Sequence, residues 1–122
     1  MFLNRSAILI AEDEPFIALD LALAIEDAGG EVVGPAASAK EALVLLEKYP
    51  VVAAILDVNL IDGDVSAVVE YLVARDIPLI LQTGVGLPVN LAARHPDLIV
   101  RIKPTVAAVL VAQLETLIFK RR

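Results

Sequence analysis

Glu12, Asp13, Asp57, Thr83 and Lys103 are the side chains in this sequence whose types could do chemistry together, and each closes or follows a short apolar run. Glu12-Asp13 follows Ala7-Ile-Leu-Ile-Ala11, and Asp57 ends Val51-Val-Ala-Ala-Ile-Leu56. Thr83 ends Pro78-Leu-Ile-Leu-Gln82, and Lys103 follows Leu98-Ile-Val-Arg-Ile102. Carboxylates brought within about 4 Å repel by roughly 4 kcal/mol per pair at an effective dielectric near 20, so three of them gathered together invite a cation. Oxygen ligands alone suit magnesium, which keeps water and phosphate oxygens in its remaining positions. An aspartate beside such an ion can attack a phosphoryl group and hold it as an acyl phosphate. The transition state spreads charge over three equatorial oxygens, and the sequence offers one partner for each: the ion, Lys103, and the Thr83 hydroxyl with neighbouring N–H groups. One histidine and no cysteine leave no ligand set for zinc, and no thiolate or disulfide chemistry.

These side chains need a scaffold that gathers strand ends. Ala7–Ala11 reads as a buried strand, and Pro15 suits the first turn of a helix running to about Ala28, carrying Phe16, Ile17, Leu19, Leu21, Leu23 and Ile25 and closed by Gly29-Gly30. Glu31-Val-Val-Gly34 reads as a short second strand followed by a Gly34-Pro35 turn. Ser38-Ala-Lys-Glu41 has capping-box spacing for a helix through Lys48, with Leu43, Val44 and Leu46 inward. The Asp57 strand comes third, and Asp62-Gly63-Asp64 leads into a helix of about Val65 to Arg75 with Val65, Val68, Val69 and Leu72 at helical spacing. Pro78–Thr83 is the fourth strand. Gly84 to Pro88 is a permissive loop, and Val89 to Arg94 makes a short helix. Leu98–Ile102 is the fifth strand, and a helix from Thr105 to Phe119 repeats Val106, Leu110, Leu114 and Leu117 on one stripe. No proline falls inside an expected strand. Strands alternating with helices predict an α/β fold: a doubly wound, five-stranded parallel sheet whose right-handed crossovers put the ends carrying Glu12, Asp13, Asp57, Thr83 and Lys103 on one rim.

At 122 residues the chain is read as one domain, 1–122, with no output domain, able to bury its own core. A net charge of −6 disfavours nucleic acid and anionic membranes as direct partners, and Lys120-Arg121-Arg122 is the one basic run. No signal peptide or membrane-length apolar run is visible, so a cytoplasmic protein is expected. Val109, Val111 and Ile118 lie off the stripe of the last helix, and this excess suggests a homodimer or partner face through the last helix and fifth strand.

Glu12-Asp13, Asp57, Thr83-Gly84 and Lys103-Pro104, in this order on these strands, resemble the receiver domain of two-component response regulators over nearly the whole chain. The resemblance implies a flavodoxin-like (βα)5 fold with strand order 2-1-3-4-5. It implies that Asp57 accepts phosphate from a phosphohistidine donor, a sensor histidine kinase or histidine phosphotransfer protein. Asp13, Asp57 and the backbone carbonyl of Asn59 would bind Mg2+, and Glu12 would act through metal-bound water. Lys103 would pair with a phosphoryl oxygen, Thr83 would move to the phosphate, and the Lys103-Pro104 peptide would be cis. Such a domain is no enzyme beyond its own phosphoryl transfer and dephosphorylation. Many receivers carry Phe or Tyr three residues before the lysine; here Val100 stands there, so no ring can flip. With Leu81-Gln82-Thr83-Gly84 this is similar to the alphaproteobacterial single-domain receivers with a Phe-Ala-Thr-Gly motif, although only Thr83-Gly84 matches strictly.

Simpler roles stand beside these. Glu12 and Asp13 also precede a helix, where the dipole favours acids, and Glu14 reads as first-turn charge. Asp62 and Asp64 read as solvated turn residues, and His95, between Arg94 and Pro96, as solvent-facing. An aspartate-nucleophile phosphatase needs a second Asp two residues after the nucleophile, where Asn59 stands. A receiver-like protein-binding domain that works without phosphorylation is the alternative, argued by the altered loop and Val100.

Overall fold

The computed structural model describes residues 3–120. Arg121 and Arg122 of the basic run lie outside the described residues. Five parallel strands, β1 (Ala7–Ala11), β2 (Glu31–Ala36), β3 (Ala53–Asp57), β4 (Leu79–Thr83) and β5 (Ile99–Ile102), form one sheet in the order β2-β1-β3-β4-β5. Five helices alternate with them: α1 (Pro15–Asp27), α2 (Ala39–Lys48), α3 (Ser66–Ala74), α4 (Val89–Arg94) and α5 (Ala107–Lys120). Asn59–Leu60 and Gly63–Asp64 pair antiparallel in a small hairpin after β3. Alternation of elements predicted the doubly wound parallel sheet, and the order is the one the family resemblance implied.

Side chains of successive strand residues point to opposite faces, and in this sheet both faces are covered. Leu9, Ala54, Leu56, Leu79 and Leu81 pack with Ala42 and Leu46 of α2, Val68, Val69 and Leu72 of α3, and Leu91 of α4. Ile8, Ile10, Ala53, Ile55 and Ile80 pack on the other side with Leu21 and Ile25 of α1 and Leu110, Val111, Leu114 and Ile118 of α5. That is why the three central strands read as continuous apolar runs. Edge strand β5 has one covered side along the sheet, and its residues are half-buried or exposed.

Four details of the helices and strands differ from the sequence reading. In α1, apolar residues at 17, 19, 21, 23 and 25 alternate with a period of two, which a helix cannot turn to one side; Leu21 and Ile25 are buried while Phe16, Leu19 and Leu23 are exposed. Val44 of α2 is exposed for the same reason, because Ala42 and Leu46, four apart, take the inward face. In α5 the buried stripe is Leu110, Val111, Leu114 and Ile118, while Val106 precedes the helix and is exposed. Val111 and Ile118 are therefore core, which removes two of the three residues behind the expected dimer face. Finally, β2 runs on through Pro35, with a cis Gly34-Pro35 peptide and an irregularity in its register against β1 between Leu9 and Ala11. Proline is tolerated there because β2 is an edge strand. Gly34, at φ 103, has Ile10 O and Ala36 N each 2.8 Å from where a Cβ would stand, so only glycine fits.

Side-chain contacts fix the loops between these elements. The Ser38 hydroxyl accepts from Glu41 N at 3.0 Å, as capping spacing predicts, and the Asp62 carboxylate accepts from Ala39 N at 2.8 Å and Lys40 N at 3.1 Å. Asp62 is thus not a free turn acid: it joins the hairpin after β3 to the start of α2, and these two N–H groups hold its carboxyl below the usual range. Glu70 of α3 accepts from Arg94 at 3.1 Å and lies 3.0 Å from His95 Nε2. His95 is correspondingly half-buried, with 16% of its side chain exposed, and its hydrogen bond holds the Glu70 carboxyl below its ordinary value. No helix among the described residues is long and apolar enough to cross a membrane.

Ser38→Ala removes the local acceptor at the start of α2, and it should lower unfolding free energy by about 1 kcal/mol. The check is a urea titration in which the midpoint falls while the slope is unchanged; a changed slope would mean that more than the cap was lost.

Candidate functional site

Each site residue sits where a strand ends, because the hydrogen-bonded ladder fixes the backbone up to that residue and the adjoining loop is free to turn. Asp57 closes β3 in register with Gln82 of β4, and Asn59 N donates back to Asp57 Oδ1 at 3.1 Å. Glu12 follows β1, with its N–H donating to Ala36 O at 2.8 Å. Lys103 follows β5, pinned by its own N–H to Thr83 O at 2.8 Å, and the Lys103-Pro104 peptide is cis, as the family resemblance implied.

From these anchors the side chains converge. Lys103 Nζ lies 2.8 Å from Asp57 Oδ2 and 3.0 Å from Glu12 Oε1. Glu12 also accepts from Glu14 N at 3.1 Å through Oε2 and from Gln82 Nε2 at 3.2 Å through Oε1. Asp57 is 5% exposed and Glu12 is 2% exposed, whereas Asp13 is open to solvent. One carboxylate oxygen from each of Glu12, Asp13 and Asp57 falls in a group spanning no more than 4.8 Å.

This is an electrostatically unbalanced arrangement: three carboxylates face one ammonium, and two of the three are buried. Burial pushes the Glu12 carboxyl up to about 7; the Lys103 hydrogen bond pulls it down, and Asp57 pushes it up again. Burial alone would lower Lys103, but its hydrogen bonds to Asp57 and Glu12 outweigh that and hold the ammonium above its ordinary value. A cluster of hard oxygen donors, with no nitrogen or sulfur ligand among the described residues, one open side at Asp13 and an excess of carboxylates over ammonium, fits a magnesium-type cation.

Thr83 occupies the expected strand end, fully buried, but its hydroxyl is committed to its own loop. Oγ1 donates to Gly86 O at 2.9 Å and accepts from Gly86 N at 3.1 Å and Val85 N at 3.2 Å. The structure therefore brings Glu12, Asp13, Asp57 and Lys103 together and leaves the Thr83 hydroxyl turned into residues 84–86. Glu14, read as first-turn charge, is the N-cap of α1, its carboxylate accepting from Ile17 N at 2.9 Å. Gln82 entered the sequence reading only within the Leu81-Gln82-Thr83-Gly84 pattern, with no role at the site. Its signal was a lone amide inside the apolar run of a central strand, where an unpaired polar group is costly. Val100, at the position of the absent ring, is half-buried on β5 against the core.

No protein-family profile matches the chain. Among curated proteins it is similar to the transcriptional regulatory protein PdtaR of Mycobacterium tuberculosis, 36% identical over 78 residues, which is 63% of this chain. The chain spans only 38% of that protein's length. Among solved structures, SdrG from Sphingomonas melonis Fr1 is 36% identical, with a TM-score of 0.77 over 93% of this chain and 96% of that one. The response regulator PhyR from Brucella abortus is 33% identical, with a TM-score of 0.75 over 98% of this chain and 52% of that one. A response regulator receiver domain protein (CheY-like) from Methanospirillum hungatei JF-1 has a TM-score of 0.83 over 95% of each chain at 23% identity, a likeness of fold.

The raised Glu12 carboxyl gives a signed pH dependence. Its folded value of about 7 lies above its ordinary value of 4.5, so the stability associated with its protonation is present in full below pH 4.5 and is lost as pH rises through 7. Denaturant titrations of the metal-free protein at steps from about pH 5 to about pH 8 should show falling stability, and Glu12→Gln should flatten that slope. A slope that persists in the variant would assign it to other groups.

Proposed function

The chain belongs to the receiver domains of response regulators, and from that membership we propose that it is a phosphoacceptor signalling module with Asp57 as the acceptor. One observation carries the reading: the Lys103 ammonium lies 2.8 Å from Asp57 Oδ2 in a buried pocket that also holds the Glu12 carboxylate. In the transfer, an Asp57 oxygen forms a bond to phosphorus as the bond from phosphorus to the donor imidazole nitrogen breaks. Lys103 is already at the position where it can pass from the carboxylate to a phosphoryl oxygen, so charge is neutralised with little reorganisation. Asp13, Asp57 and the Asn59 carbonyl are the proposed holders of Mg2+, with Glu12 acting through bound water. Magnesium bound there would supply charge neutralisation on the phosphoryl oxygens.

The donor we propose is a sensor histidine kinase or a histidine phosphotransfer protein. Asp57 is 5% exposed, and a cleft of about 500 Å³ between α1 and the start of α5, lined by Ile17, Asp20, Leu23, Lys103, Val106 and Ala107, reaches the site through Lys103. That cleft supports docking of a protein donor. The chain acts as no enzyme on other substrates in this reading, and its output is a change in protein binding or relay of the phosphate. The likeness to PhyR, described for Bartonella quintana as an anti-anti-sigma factor, makes an anti-sigma factor one downstream partner to test.

The switch lies in Thr83 and residues 84–88. To reach a phosphoryl group on Asp57 the Thr83 hydroxyl must give up Gly86 O, Gly86 N and Val85 N, which releases the loop leading into α4. A buried two-state contact of this kind shifts a population instead of deforming smoothly.

With acetyl phosphate and Mg2+, intact-mass spectrometry should show a gain of one phosphoryl group in the wild type and none in Asp57→Asn. A wild type that stays unmodified with acetyl phosphate and with histidine-phosphorylated donors would leave the phosphate-independent binding domain as the better reading. In the phosphorylated wild type, amide shifts should concentrate in residues 83–94. In Thr83→Val that response should shrink although Asp57 is still modified; an undiminished response would remove Thr83 from the switch.

A further inference from the structure

Gln82 is a buried amide, 2% exposed, on the central strand β4, directly in register with Asp57 on one side and Arg101 on the other. Its own carbonyl accepts from Val58 N at 3.0 Å, so its backbone is fixed relative to the end of β3. Its Nε2 donates to Glu12 Oε1 at 3.2 Å, on the same oxygen that lies 3.0 Å from Lys103 Nζ. The Glu12 carboxylate thus has three donors: Lys103 on both oxygens, Glu14 N on Oε2, and Gln82 on Oε1.

That count matters when Lys103 changes partner. A buried carboxylate that loses its only cation is held by whatever donors remain, and each unmade hydrogen bond to a charged group is costly. With Gln82 in place, Glu12 keeps one neutral donor on each oxygen after Lys103 departs. Without it, Oε1 has no donor but the ammonium, and Glu12 would hold Lys103 back. The same bond fixes the plane of the Glu12 carboxylate within the cluster it forms with Asp13 and Asp57.

Resting on the reading of Asp57 as phosphoacceptor, we propose that Gln82 is a positioning residue. It holds Glu12 so that Lys103 is free to follow the phosphoryl group and so that Glu12 stays aimed at the cation site. Partners that orient a metal-site carboxylate without touching the ion change affinity or activity by roughly 10- to 100-fold when removed.

Gln82→Met keeps the length of the side chain and removes the donor. Its Mg2+ dissociation constant, followed by amide shifts in the phosphate-free protein, should rise about tenfold, and its phosphorylation rate at saturating Mg2+ should fall by a similar factor. The acetyl phosphate concentration giving half-maximal rate should stay the same, a split that a packing defect would not produce. A folded Gln82→Met with wild-type Mg2+ affinity and rate would overturn the proposal. If that variant does not fold, Gln82→Asn, whose amide is one methylene short of Glu12, decides by the same two measurements. Should the wild type take no phosphate at all, the phosphoacceptor reading fails, while the Mg2+ affinities still judge Gln82.

Discussion

Lys103 standing between two buried carboxylates is the constraint from which the behaviour of this chain derives. Folding removes Glu12 and Asp57 from water and supplies a single ammonium for both. Two buried charges of one sign with one counter-charge are a poor arrangement for stability, since desolvation is only partly offset by pairing. The arrangement is incomplete: its acid cluster suits a divalent cation, and its ammonium stands next to the Asp57 carboxylate, the proposed phosphoacceptor.

Such a pocket survives only on a rigid frame. The doubly covered strands β1, β3 and β4 deliver Glu12, Asp57 and Gln82 at fixed heights, and their cores on the two faces contain almost nothing polar. Freedom to rearrange is confined to the loops beyond the strand ends. Residues 84–86 are fastened chiefly through one hydroxyl, that of Thr83, while the far end of α4 is tied to α3 through Glu70, Arg94 and His95. A segment held at one end by a side chain with a competing partner, and at the other by an ion pair, can pivot without unfolding the sheet.

The comparisons and the geometry reach the same family by different routes. The likeness to SdrG and PhyR covers 93% and 98% of the chain. The geometry depends on few residues at strand ends, and it is there that this chain shows its own character. Val100 replaces a ring, and Gln82 adds a donor to the acid cluster. At the end of β4 the Thr83 hydroxyl by itself holds three loop groups.

The strands and the gathering of Glu12, Asp13, Asp57 and Lys103 were legible because they rest on local signals: apolar runs of strand length, turn residues between them, and the fixed hand of the crossovers, while the strand order came from the family resemblance. Ser38 capping α2 was legible for the same reason. Contacts that depend on a neighbour distant in the chain could not be read. The sequence does not say that Asp62 reaches back to Ala39 and Lys40, that Val111 and Ile118 turn to the sheet, or that Pro35 fits within an edge strand. Nor does it say that Thr83 faces its loop and Gln82 faces Glu12. Residue types and their periods determine which elements form and which groups reach the rim. The direction of each side chain there is set by competition among partners that only folding brings within hydrogen-bonding distance.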